Sequence, residues 1–502
     1  MLTNSPKPIS GPPTPLLHRR VHFQQSLLSL IIFHLLRSLL KFSLVVDHSV
    51  PDHSLRRLII EIPYVFTKVG YVSHHFFEST LLAFKVFFRT NTFHIDSKDL
   101  PLLTSIASFF KSEVQLLFLH VFDLFKVEEF HSSLHLISGL KMELRNPRQL
   151  TFLDKSSSSY FPHLQRLHLC NVESSTFLVA VAMLKDNSTI VELNLQSNSL
   201  GDDDIMVFAD ALKVNSTIRN LNLQWNLIEN EGAESLADVL KVNSNITHIN
   251  LAFNSINYEG AVALAEAFKT NSSLTEVNLA HNLFGVEGTI VLAEAFKVNS
   301  TITVINLTGH YFGPKGAVSL AEALKVNSSI TELRLDGNFI NKEGALELAE
   351  ALKVNSTITE LFLVDNSIGV EGAISLAEGL NKNSVITKIN LDVNYIRDEG
   401  VIALAEVLNS KSSITDVSLA INAIGDDGAI ALAEALKVNS SVIEINLTSN
   451  SIGYEGAMAL VEALKVNSTI TRILFEDNSI DFETAQCLQT ISNGRITCCS
   501  MS

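Results

Sequence analysis

Short bursts of alternating apolar and polar residues run along most of this chain, each followed by a helical pattern. In the unit beginning at Ile218, Leu221 and Leu223 alternate with Asn220, Asn222 and Gln224, the period of a half-buried strand. Asn226 follows at the turn. Ala233, Leu236, Ala237 and Leu240 then fall at i, i+3, i+4 and i+7, one face of a helix. Glu231 stands where that helix begins and Lys241 in its last turn, the signs its dipole favours. Asn243 is placed to close the helix in a left-handed conformation.

The unit recurs every 28 residues. At that step the chain reads Asn198, Asn226, Asn254, Asn282, His310, Asn338, Asn366, Asn394, Asn422, Asn450 and Asn478, within the pattern I-x-x-L-x-L-x-x-N. One buried amide per coil is expected to bond the backbone of its own turn and of the next coil, serving main-chain groups that no regular ladder reaches. His310 interrupts that series, and an imidazole cannot replace an amide's two donors and acceptor, so its coil is expected to be the weakest turn.

One strand and one helix cannot bury their own apolar faces, but stacked neighbours can. Strands pair about 4.8 Å apart and helices need roughly 8–10 Å, so the stack must curve. The expected fold is an α/β solenoid: a curved horseshoe with parallel inner strands and outer helices, preceded by a mainly helical N-terminal region. The expected organisation is a disordered Pro-rich start (1–25), a mainly helical region (26–110), degenerate capping repeats (111–185), eleven regular repeats (186–484), and a C-terminal cap and tail (485–502). Within the capping repeats, Val114-x-x-Leu117-x-Leu119, Ile137-x-x-Leu140-x-Met142 and Leu164-x-x-Leu167-x-Leu169 are candidate strands.

Charge divides unevenly. Residues 1–160 hold 17 Lys and Arg against 12 Asp and Glu, and the remainder holds 20 against 41, giving −16 in all. The acidic array disfavours nucleic acid and favours a basic protein partner, although solvated acidic helices give the same balance. The four cysteines have neither metal spacing nor a disulfide framework, which fits a reducing, cytoplasmic setting. Asn215, Asn271, Asn299, Asn355 and Asn467 match the glycosylation sequon, yet their fixed place in the repeat points to a helix-ending role. The apolar run from Ser26 carries His34, Arg37 and Lys41 on one stripe, so a mostly buried amphipathic helix is expected rather than a transmembrane span, with a signal or membrane anchor and an interfacial helix as alternatives.

The unit I-T-E-L-x-L-x-x-N-x-I-G-x-E-G-A-x-A-L-A-E-A-L-K-x-N, as in Ile330–Asn355, resembles the ribonuclease-inhibitor-like class of leucine-rich repeats over roughly residues 164–484. The class includes ribonuclease inhibitors, the ligand-sensing regions of NOD-like receptors and GTPase activators for Ran. The resemblance implies binding through a concave face. It departs from complete NOD-like receptors in lacking a phosphate loop, from vertebrate-type inhibitors in its few cysteines, and from Ran activators in its tail. Residues 55–90, with Ile62-Pro63 and Val72-Ser-His-His-Phe-Phe ahead of degraded repeats, are laid out like an F-box protein with leucine-rich repeats. These resemblances imply a protein-binding scaffold or, alternatively, a ubiquitin-ligase substrate adaptor or a regulator of a small GTPase.

No hydrolase, zinc-protease, dinucleotide or dithiol motif is present, and neither enzyme activity nor a cofactor is expected. Asp202-Asp203-Asp204 and Asp426-Asp427 read as helix-start charge rather than cation ligands. The concave positions are mostly small or polar (Asn222, Asn250, Asn278, Asn306, Ala252, Ala280). Against them Trp225, Phe253 and His281 form one column in three successive repeats, either an aromatic partner-binding strip or rings folded over the turn. A second strip of Arg334, Asp336, Phe362, Asp365, Lys388, Asp392 and Ile421 is either a mixed-charge partner site or a plain solvated face. Cys499-Ser-Met-Ser reads as a prenylation ending with Cys498 beside it for a second lipid, so a lipid anchor and an unmodified tail are both open.

Overall fold

The computed structural model describes residues 119–121, 139–143, 164–410 and 413–497. The Pro-rich start, the N-terminal helical region with its F-box-like segment, and Cys498 and Cys499 lie outside the described residues. No described helix is long and apolar enough to cross a membrane.

Among the described residues, fifteen parallel strands form one sheet whose order is the order of the sequence. Leu193, Leu221, Ile249, Val277 and Ile305 stand side by side at the repeat spacing. A regular rung is only three residues long, as in Asn220–Asn222, and leads through a turn to a helix such as Asn230–Val242. The core lies between sheet and helices: Leu221, Leu223, Ile228, Ala233, Leu236 and Leu240 are all buried. Among the early rungs, Leu119 rather than Leu117 pairs with Leu140. A shift of two residues keeps the same face, so the pattern alone cannot choose between them. After the helix Phe482–Ile491, the strand Ile496–Thr497 adds a last rung against Ile473 and Leu474.

The glycine near the start of the helices from Asn230–Val242 to Tyr454–Val466 is a packing requirement. A Cβ at Gly260 would lie 2.4 Å from Ile256 Cγ2, and one at Gly344 would lie 2.6 Å from Ile340 Cγ2 and 2.8 Å from Ala317 Cβ. The buried alanines of successive helices serve the same close approach.

Two asparagine ladders close the turns. In the first, Asn226 Nδ2 donates to the Leu195 and Leu223 carbonyls at 3.0 and 2.9 Å, while its Oδ1 accepts from the Asn198 and Leu200 N–H groups at 3.1 and 3.0 Å. The amide thus joins its own coil to the preceding one, not to the next as the sequence suggested. The second ladder corrects the helix-end expectation. Asn243 is extended (φ −83°), not left-handed. Its Nδ2 donates to the Leu212 and Asn215 carbonyls at 2.7 and 3.1 Å, and its Oδ1 accepts from Asn245 and Ile246 at 2.8 and 3.0 Å. An extended backbone is what aims the amide back at the previous helix end. The sequon residues Asn215, Asn271, Asn299, Asn355 and Asn467 belong to this ladder and are buried.

His310 breaks the first ladder. It is 2% exposed, its ring stacks on Phe284 at 4.4 Å, and neither ring nitrogen has a hydrogen-bond partner. Its backbone N–H still donates to Asn338 Oδ1 at 2.8 Å. Burial drives the imidazole down to about 3, with the adjacent His281 adding to the fall and the Leu279 and Asn282 backbone opposing it. Replacement by asparagine restores an acceptor for the Phe284 N–H and a donor for the Leu279 carbonyl. His310→Asn should therefore stabilise the fold by about 1 kcal/mol. An unfolded His310 takes up a proton near its ordinary value while the folded one does not, so the native protein loses stability as pH falls from about 6.5 toward about 3. Denaturant titrations at about pH 7.5 and about pH 5 should show the advantage of His310→Asn growing, by at most about 1.4 kcal/mol per pH unit.

Candidate protein-binding site

The first and third residues of each rung face away from the core. At the third position Asn194, Asn222, Asn250, Asn278 and Asn306 use their Oδ1 atoms to accept the N–H two residues on, at 2.9, 3.0, 3.0, 3.2 and 3.0 Å. These Asx-type turns end each strand and fix each amide's orientation. In sequence this column is merely polar, and its structural role shows only in the turn geometry. Asn250 Nδ2 reaches Gln224 Oε1 at 3.3 Å. Between the strands Glu192–Asn194 and Glu276–Asn278 lies a shallow depression of about 370 Å³, floored by these amides and lined by Glu192, His248 and Glu276. His248 stands 3.5 Å from Glu276 and 2.7 Å from the Thr247 hydroxyl.

Just beyond the same strands come Trp225, Phe253 and His281. Their rings stack face to face, Trp225 on Phe253 at 4.0 Å and Phe253 on His281 at 4.2 Å. They pack on one another yet remain open to solvent, with Trp225 51% exposed. All three have φ of 53–57°, left-handed values that bulky residues rarely adopt. Partial burial holds the His281 imidazole below its ordinary value. Its ring lies over Gly309, where a Cβ would meet His281 Nδ1 at 2.4 Å. Two residues further round the turn, Leu227, Leu283, Tyr311 and Phe339 are also exposed, and the last two stack at 5.4 Å. This second column went unread in the sequence, although serine at 199, 255 and 367 set a background against which it could have been found.

The second strip is organised differently. Phe362 is 6% exposed, covered by Arg334 at 4.1 Å and Lys388 at 5.2 Å, so it does not present its ring as an anchor. Arg334 is also paired with Glu332 at 2.6 Å. Phe362 and Ser418 replace the strand-ending asparagine of their rungs. Asp336 and Asp392 compensate from the preceding coil, accepting the Val364 and Ala420 N–H groups at 2.8 and 2.7 Å. Asp392 accepts from Ser418 Oγ as well, at 2.6 Å. Both aspartates are therefore structural supports as well as strip members. Asp365 and Ile421 are exposed in the Trp225 column with φ of 53° and 54°. Asp426 likewise caps the next coil, accepting from Gly453 and Gly456 at 2.8 and 2.7 Å, and Asp202 accepts from Glu229 at 2.7 Å. No group of metal-ligating side chains occurs among the described residues.

Burial raises the carboxyls of Asp336 and Asp392, against the hydrogen bonds they accept. A raised acid favours its neutral form in the folded state, so its ionisation lowers stability as pH rises. Asp336→Asn keeps the acceptor for Val364 and should match or exceed the parent in stability at neutral pH. Asp336→Ala leaves that N–H unpaired and should cost about 1–2 kcal/mol in denaturant titrations.

The family model described as "Leucine Rich repeat" matches residues 186–209, 214–237, 242–265, 270–293, 298–321, 326–349, 354–377, 382–405, 410–433 and 438–461. No curated protein sequence matches significantly. Among solved structures, the chain is similar to the second actin-binding site of leiomodin-1, at 22% identity and a TM-score of 0.26, over 28% of this chain and 84% of that one. It is also similar to a chain of the yeast Rad7 and Elc1 complex, at 13% identity and a TM-score of 0.44, over 87% of this chain and 96% of that one. Likeness at this level bears on neither function nor partner. Ten consecutive repeat matches and an unbroken parallel array of strands and helices make this chain a member of the leucine-rich repeat family.

Proposed function

We propose that the chain is a non-enzymatic scaffold that holds a protein partner across the sheet face and turn edge of the rungs from Glu192 to Phe339. The observation that carries this reading is the Trp225–Phe253–His281 stack, solvent-open and held in a strained backbone conformation beside the sheet-face depression. Aromatic side chains of this kind anchor interfaces, because a large rigid surface is desolvated at low entropic cost. Leu227, Leu283, Tyr311 and Phe339 extend the apolar edge over neighbouring rungs. Repeat arrays offer such long surfaces by construction.

Tagged wild-type chain and Trp225→Ala should be compared by affinity purification and mass spectrometry from the same cells. Proteins held through this edge should be lost from Trp225→Ala and kept by Trp225→Phe, with a loss of about 2 kcal/mol or more once a partner is titrated directly. Both variants should retain the parent's unfolding transition. Identical capture by all three chains removes the reading. The free protein's sole tryptophan should emit as a solvent-exposed indole, and a strongly blue-shifted emission would contradict an accessible Trp225.

A further inference from the structure

We infer that the partner segment seated in the depression is an extended, basic stretch of polypeptide, an inference that rests on the protein-binding reading above. At the first strand position, six rungs from Glu192 to Glu444 carry Glu or Asp against three basic residues, Arg166 in register beside Glu192, Lys388 and Arg472. Arg472 already faces Glu444 at 3.9 Å, and Lys388 lies over Phe362. Within the depression itself, Glu192 and Glu276 stand on exposed positions and no Lys or Arg lines it.

The amide floor adds a second requirement. Asn194, Asn222 and Asn278 have committed their Oδ1 atoms to their own turns, so each presents Nδ2 donors outward. An apolar helix laid here would strip water from those donors and leave them unpaired, at a cost that buried donors do not recover. An acidic segment or a nucleic acid would meet Glu192 and Glu276 with like charge. An extended basic segment meets both demands: its main-chain carbonyls accept from the amides, and its cations reach the two carboxylates. The stack supplies a third point of contact. One face of Trp225 is covered by Phe253, and on its other side the same column holds only Ser197, leaving the indole face open. A planar guanidinium is the cation that such a face takes best.

The test uses full-length protein and fluorescein-labelled peptides of about eight residues, long enough at about 3.3 Å per residue to cross the depression. One peptide alternates Arg with Ser and the other Glu with Ser, read by fluorescence anisotropy at low salt. The Arg peptide should bind and the Glu peptide should not. Combining Glu192→Gln with Glu276→Gln should weaken the Arg peptide at least about fivefold, as should Trp225→Ala alone. Combining Glu266→Gln with Glu294→Gln on the outer helices is the charge-matched control and should change nothing. Failure of the Arg peptide to bind, or equal weakening by the control pair, overturns the inference. Cellular capture that is lost with Trp225→Ala but unchanged by the Glu192/Glu276 pair leaves the scaffold standing and removes the basic segment. Unchanged unfolding transitions for both glutamine pairs establish that the comparison reads binding.

Discussion

Rungs of three residues leave the main chain short of regular partners, and buried asparagine amides make up the difference. A strand such as Asn220–Asn222 satisfies only its own few groups. The turns on either side carry carbonyls and N–H groups that face the interior, where an unpaired group costs about 1–3 kcal/mol. Asn226 and Asn243 each serve both their own coil and the coil before. Neither amide is satisfied by an isolated repeat, so stability resides in the contacts between neighbours, as expected of a one-dimensional array. The tight glycine and alanine contacts between helices follow from the same stacking.

The same shortage of main-chain partners explains where the array departs from regularity. Phe362 and Ser418 forfeit the strand-ending asparagine, and Asp336 and Asp392 restore the lost acceptor from one coil away. The arrangement shields Phe362 beneath Arg334 and Lys388, so an apolar residue on the sheet face becomes part of the fold. His310 has no such compensation. Its ring fills the space against Phe284 but leaves both nitrogens unpaired, in the stretch that also carries Tyr311 and the glycine beneath His281. The rung with unpaired buried nitrogens thus lies at the exposed turn edge.

The repeat made the fold legible before any coordinates, because periods of two and of about 3.6 separate strand from helix, and a fixed unit sets the register of every regular rung. The early rungs were less legible: an alternating pattern offers Leu117 and Leu119 equally as the strand residue, and only the pairing of Leu119 with Leu140 decides. Asparagine was readable as a turn residue, but its backbone conformation was not. An extended Asn243 and a left-handed one have the same sequence, and the choice is made by carbonyls in the preceding coil. The roles of Asp336 and Asp392 were hidden for a similar reason, since their purpose lies in a residue missing from the next repeat. The Trp225 column was visible as an anomaly of composition, whereas its face-to-face stacking depends on a left-handed turn that the sequence does not announce.

That turn sets an energetic cost on the aromatic column. Residues in the column just before the ladder amide have a positive φ, and other rungs fill it with Ser197, Gly309, Gly337, Asp365, Ser449 and Asp477 but also with the β-branched Val393 and Ile421. Placing Trp225, Phe253 and His281 there costs on the order of 1–2 kcal/mol each in backbone strain. Two stacked contacts return about 0.5–1.5 kcal/mol apiece, which at best approaches the cost. Their solvent-exposed edges return little more, because the indole of Trp225 remains half open to water. The stack offsets at most part of that strain, and the partner proposed above would supply the remainder by covering the rings.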